Sequence, residues 1–197
     1  MNNAKKIIPL EIIADHAQSP LFFLNSYFSR TAIKEAITFG IRTVVQRTQV
    51  GARQSVGMKD VPFIIHVYVR FDGLTGIVVS DEDYPDRVAF SLISKTLETF
   101  SDKVGDKWTR VVADQAMEPP FMREDLATFQ DPKQADKLTK IQQNVDEIKQ
   151  IVHTTMESLM ERGVTLEELM KTSGDISESS KMFAKKAASA NSCCRVW

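Results

Sequence analysis

Cysteine is almost missing from this chain: of 197 residues only Cys193 and Cys194 carry a thiol, and both stand beside the C-terminus. The body therefore has no disulfide framework and no Cys/His set with zinc spacing. Two adjacent cysteines at a polar chain end also make a poor structural disulfide. Long apolar runs are missing too. A spanning helix needs roughly 18 apolar residues, whereas the best stretches, 63–69 and 76–79, are short, β-branched and bounded by turns. Excess charge of either sign is absent, because the formal net charge is −1. No global field favours nucleic acid or a membrane, and the basic residues do not gather into a nucleic-acid face. There is no glycine-rich phosphate loop, no nucleophile elbow and no Cys/His pair. His16, His66 and His153 are scattered, and Asp81, Glu82, Asp83 and Asp86 suit a turn and a helix start without metal. Catalytic residues, metals and dissociable cofactors are therefore not expected. Pro9 and Glu11 interrupt the run from Ile7 to Ile13, which suggests a strand and not a signal peptide, and Asn2 excludes N-myristoylation. The expectation is a protein made and folded in the cytosol.

Proline and aromatic residues are abundant in one part and scarce in the other. Every proline lies at or before Pro132, and beyond it the aromatics are Phe183 and Trp197 alone. The shift puts a boundary near 130–133. Before it, Thr31 to Val45 carries apolar residues at helical spacing, including Ala36, Ile37, Ile41 and Val44. Phe63 to Phe71 and Leu74 to Ser80 form a predicted hairpin around Asp72-Gly73, a dipeptide that supplies the positive φ of a type I′ turn. Pro85 opens a second helix with Val88, Leu92, Ile93, Leu97 and Phe100 on one face, ending near Gly105; Glu124 to Phe129 is a further short helix. A strand-helix-hairpin-helix order predicts an α+β domain, an antiparallel sheet covered by helices.

Beyond the boundary, steps of three and four define one seam: Leu138, Ile141, Val145, Ile148, Val152, Thr155, Leu159, Arg162, Leu166, Leu169, Ser173, Ile176, Ser180, Phe183, Ala187 and Ala190. Most are apolar or small, as a coiled-coil seam requires. A continuous helix over these residues would be about 75–80 Å long, far beyond the about 30–35 Å diameter of a domain this size. Such a seam needs partner helices. Arg162 sits in its middle between Leu159 and Leu166. A guanidinium buried there costs several kcal/mol unless partners satisfy its donors; from this residue alone, an outward-snorkelling arginine is an equal alternative.

The surrounding residues decide. Ser158-Leu159-Met160-Glu161-Arg162-Gly163, then Leu166-Glu167-Glu168-Leu169, resembles the centre of an R-SNARE motif, with seven layers before Arg162 and eight after it. Asp131-Pro132-Lys133-Gln134-Ala135-Asp136 ahead of the seam and Asn191-Ser192-Cys193-Cys194 after it are similar to the YKT family of longin-bearing, prenylated R-SNAREs. His66-Val67-Tyr68-Val69-Arg70 and Asp83-Tyr84-Pro85-Asp86-Arg87-Val88-Ala89-Phe90 resemble that family's longin domain. The resemblance implies a profilin-like longin domain over 1–130 with uncertain first strands, a linker at 131–137, a long α-helical SNARE motif at 138–190 and a lipidated tail at 191–197. It implies that Arg162 is the zero-layer residue, meeting three Gln side chains from three Q-SNARE helices in a four-helix fusion bundle. It also implies SNARE assembly and disassembly factors as partners. The family's longin domain folds back on the SNARE segment, and Phe39 matches the docking position on its first helix. Plain core packing of Phe39 stands as the other explanation.

Cys194-Arg195-Val196-Trp197 has the frame of a prenylation box, with the thioether on Cys194 and farnesyl against geranylgeranyl left open by the terminal Trp. One lipid gives only marginal binding, so Cys193 is the candidate for palmitoylation or a second prenyl group, with Lys181, Lys185 and Lys186 assisting against anionic lipid. The expected protein cycles between cytosol and the cytosolic face of membranes: Golgi, ER-Golgi vesicles, endosomes or vacuole. A longin-type tether that binds SNAREs without driving fusion is the alternative function.

Overall fold

The computed structural model describes residues 6–7, 30–58, 61–110, 119–133, 135, 151–160, 164–174 and 176–182. Its centre is a sheet of five strands: β1 (Lys6–Ile7), β2 (Arg53–Met58), β3 (Val61–Val69), β4 (Leu74–Asp81) and β5 (Ile151–Thr155), in the order β1-β4-β3-β2-β5. The middle three form an antiparallel meander, while β1 joins β4 and β5 joins β2 in parallel. The sheet is thus mixed where the sequence suggested antiparallel. Both parallel strands are edge additions, brought from opposite ends of the chain.

Period-two alternation in β3 divides the core. Phe63, Ile65, Val67 and Val69 point to one face, where helix α1 (Arg30–Arg47) covers Phe63 with Ala36 and Ile37 and the rest with Val44 and Val45. On the other face lies helix α2 (Asp86–Val104), which buries Val88, Ala89, Leu92, Ile93, Leu97 and Phe100 as its spacing predicts. Gly76 of β4 permits the close approach of α2, since a Cβ there would meet Ile93 Cγ2 at 2.6 Å. The β3–β4 connection is longer than a two-residue I′ turn. Gly73 N–H donates to Arg70 C=O at 3.0 Å and Arg70 N–H to Leu74 C=O at 2.9 Å, so Phe71 and Asp72 are the central pair and Gly73 follows at φ 88°. A turn closed by one left-handed glycine serves the strand twist with a single positive φ.

Gly105, at φ 56°, ends α2 and begins a 3₁₀ turn (Gly105–Arg110). Helix α3 (Pro120–Thr128) starts at the second proline of Pro119-Pro120 and clamps α2 through Lys95 Nζ to Asp125 Oδ1 at 2.6 Å. Tyr84 Oη donates to Phe129 C=O at 2.8 Å, and burial pushes this phenol up to about 12. Phe129 and Ala135 are buried against the α2 cluster, so the predicted boundary near 130–133 lies on the domain's outer wall.

Residues 151–182 do not continue one helix here. After β5 come α4 (Met156–Leu159) and α5 (Leu166–Thr172), each flanked by extended backbone, α4 at Thr155 and Met160 and α5 at Thr165 and Ser173. The reason is the length argument itself. A straight rod would overhang the domain, whereas a broken segment can follow its curved surface and bury its apolar side chains there.

Candidate functional site

The docked C-terminal segment is the feature in which this chain's residues converge. Its first hold is backbone pairing: Arg53, Gln54, Ser55, Val56 and Gly57 of β2 face Ile151, Val152, His153, Thr154 and Thr155 in register. This covers an edge whose N–H and C=O groups would otherwise face solvent. The second hold is apolar. Met156 and Met160 enter the cluster of Val44, Val45, Val56, Ile65, Val67 and Ile77, with Leu159, Leu166 and Leu169 half-buried around it. Met170 and Ile176 close a further cluster with Ala36, Ile37 and Phe63, and Phe39 packs at its margin.

A third hold is polar. Glu35 on α1 accepts from Ser177 N–H at 3.0 Å and from the hydroxyls of Ser177 and Ser180. The Ser177 and then the Ser180 hydroxyl hold its carboxyl below the usual range, because these bonds favour the charged form. Beneath β5 runs a polar chain. Ser55 Oγ donates to Asp86 Oδ1 at 2.9 Å and lies 3.0 Å from His66 Nδ1, while His66 Nε2 lies 2.9 Å from Ser80 Oγ. Because Ser55 gives its proton to Asp86, it can only accept from His66, from Nδ1–H of the neutral ring. His153 Nε2 of β5 reaches the other oxygen of Asp86 at 3.7 Å. His66 is 0 % exposed. Burial pushes its pKa down to about 4, outweighing the Asp86 carboxylate, with His153 adding a smaller push downward.

The sequence-derived seam residues divide between hidden and open positions. Ile176 and Ser180 are buried and Leu159, Leu166 and Leu169 half-buried; Ser173 is half-buried, Thr155 exposed and Val152 55 % exposed. Met156, Met160 and Met170, one residue beyond seam positions, are buried as well and are not part of the seam. Their i, i+4 spacing at 156 and 160 is the signal that points to a second face. Glu35 and Ser177 carried no sequence signal of their own. Leu138, Ile141, Val145, Ile148, Arg162, Phe183, Ala187, Ala190, Cys193 and Cys194 lie outside the described residues. Among the described residues no group of three or more His, Cys, Asp or Glu side chains could hold a metal, and no helix is long and apolar enough to cross a membrane.

Comparison with known proteins agrees with both halves. Residues 23–124 match the Longin family, a regulated-SNARE-like domain, and residues 137–195 match Synaptobrevin. The VAMP-like protein YKT61 of Arabidopsis thaliana is 38 % identical over 190 residues, covering 93 % of this chain and 94 % of that protein. Synaptobrevin homolog ykt6 of Schizosaccharomyces pombe is 41 % identical over 170 residues, 86 % of this chain and 84 % of the relative. Synaptobrevin homolog YKT6 of Yarrowia lipolytica is 40 % identical over 171 residues, with 86 % and 84 % covered. With a longin domain, a synaptobrevin segment and relatives matched along most of their length, the chain belongs to the longin-bearing Ykt6 family of synaptobrevin-like SNAREs, non-enzymatic R-SNAREs of vesicle trafficking.

Proposed function

We propose that this R-SNARE is lipid-anchored, gives one helix to a four-helix bundle that fuses vesicle and target membranes, and is held in check by its longin domain. The supporting observation is the docking on β2 and α1 of Ile151–Thr155 by backbone pairing and of Met156, Met160, Met170 and Ile176 by burial. Residues spent on β5 and on two short helices cannot at the same time zip with partner helices, so docking and assembly exclude one another. On release the seam from Leu138 to Ala190 forms the bundle layers. Arg162 then takes the centre opposite three Gln side chains, whose carbonyls satisfy its donors in a dry layer. Assembly and disassembly factors act on that bundle. Cys194 carries a prenyl group and Cys193 a palmitoyl or second prenyl group, the two signals that stable attachment requires. The protein cycles between cytosol and the cytosolic face of Golgi, ER-Golgi vesicle, endosomal or vacuolar membranes.

Phe39→Glu tests the regulatory part. A folded but more extended particle in small-angle scattering is expected, since Phe39 borders the cluster of Met170 and Ile176; global unfolding would assign Phe39 to the core instead. For the fusion part, the full chain is mixed with three Gln-bearing SNARE helices. An SDS-resistant four-helix complex that weakens on Arg162→Ala is expected, and binding without a fusogenic bundle would favour a tether. Membrane recovery of a Cys193→Ser, Cys194→Ser double variant should fall; unchanged recovery refutes the anchors.

A further inference from the structure

Two reciprocal caps punctuate the docked segment. Thr155 Oγ1 accepts from Ser158 N–H at 3.3 Å, and Ser158 Oγ accepts from Thr155 N–H at 3.2 Å. Ten residues on, Thr165 Oγ1 accepts from Glu168 N–H at 3.2 Å, and Glu168 Oε2 accepts from Thr165 N–H at 3.0 Å. Both are complete capping boxes, each satisfying two N–H groups that a helix start leaves without partners.

The geometry has a consequence for the choice between docked and released forms. Thr155 at φ −108°, ψ 156° and Thr165 at φ −101°, ψ 156° are extended, as a capping residue must be. In an unbroken helix the same two residues take helical dihedrals, and their N–H groups bond carbonyls four positions earlier. Neither box can then exist. The intervening Met156, Glu157, Leu159, Met160, Glu161 and Arg162, by contrast, are good helix formers and favour continuity, with Gly163 the exception. Local preference thus pulls toward one helix, and the two boxes oppose it.

We infer that the Thr155–Ser158 and Thr165–Glu168 boxes are latches that stabilise only the broken, docked form and so set the threshold for release of the segment. This rests on the docked-against-released equilibrium proposed above. Losing an N-cap shifts such an equilibrium about fivefold, so the two boxes together hold it by about 25-fold. Release is the event they control, because each box sits at a joint between elements that leave the domain together.

Hydrogen exchange of the full-length chain, read at the β5 amides and at 166–172, measures the opening. Thr155→Ala and Thr165→Ala are each expected to raise exchange about fivefold at both places. Thr172→Ala should leave exchange unchanged, because Thr172 is helical in both forms and its hydroxyl donates to the Glu168 and Leu169 carbonyls without making either capping bond. Thr165→Asp keeps a capping oxygen and should return it to the wild-type rate. If the two box variants match Thr172→Ala, or if each loosens only its own helix, the latches are refuted while docking stands. Wild-type β5 amides exchanging at the unfolded-chain rate would remove docking itself, and the latches with it.

Discussion

Met170→Ala separates docking from folding most directly. Met170 is 1 % exposed and fills the space between Ala36, Ile37, Phe63 and Ile176. Truncating a fully buried methionine costs about 2–5 kcal/mol. The lower end applies, because the cluster lies at a margin where half-buried Phe39 can settle into the gap. In the released helix Met170 is off the seam, so that form loses almost nothing. The whole cost falls on docking. At 1.4 kcal/mol per tenfold, a cost of about 2 kcal/mol raises the released-to-docked ratio about 30-fold. Small-angle scattering of the full chain should report a larger radius of gyration. Thermal unfolding of the longin body should move little, since β4 and α2 keep their contacts and β3 loses only that of Phe63. Assembly with Gln-bearing SNARE helices should accelerate by a similar factor if release limits it. An unchanged radius with a lowered melting temperature would refute the reasoning, because Met170 would then be part of the one cooperative core.

Three further outcomes follow from the same contacts. His66 has a folded pKa of about 4 against about 6.5 unfolded, so the unfolded chain takes up the proton first; its contribution is intact above about 6.5 and about 3 kcal/mol is lost as pH falls to about 4. Urea midpoints between those pH values should drop less in His66→Gln than in wild type, and parallel curves would contradict this. Glu35, held below the ordinary carboxylate range by Ser177 and Ser180, favours docking above that range and ceases to as pH falls through its lowered pKa. Glu35→Ala should increase amide exchange at 177–180 at neutral pH and converge with wild type in acid. Gly76→Val should lower the melting temperature by several degrees, as its branches meet Ile93 and Leu97, and a neutral result would mean that α2 can shift outward.

Elements whose side chains match their environment were legible in the sequence: α1, β3, β4 and α2 appear where apolar periodicity places them. β2 was not. Arg53-Gln-Ser-Val-Gly-Met has no apolar alternation: Val56 is buried, but Gln54 and Ser55 are buried polar residues satisfied internally, Gln54 by Thr48 and Ser55 by His66 and Asp86. Only tertiary hydrogen bonding makes that sequence a strand. For the C-terminal segment, the sequence made the proposed partner-bound form legible and not the docked one. A seam every three or four residues encodes the partner-bound helix, while the docked form is written in the methionines beside the seam and in two Thr-x-x-Ser/Glu boxes. One stretch carrying two patterns necessarily looks like the stronger one.

The polar character of β2 matters again whenever β5 departs. The bared rim then presents Arg53 and a register irregularity at Gly57/Met58 in place of a flat, greasy ribbon. A charge and a kink are poor templates for a neighbouring chain. Under the proposed cycle of release and docking, the rim can therefore be bared in a crowded cell and covered again without inviting copies of the chain to add to it.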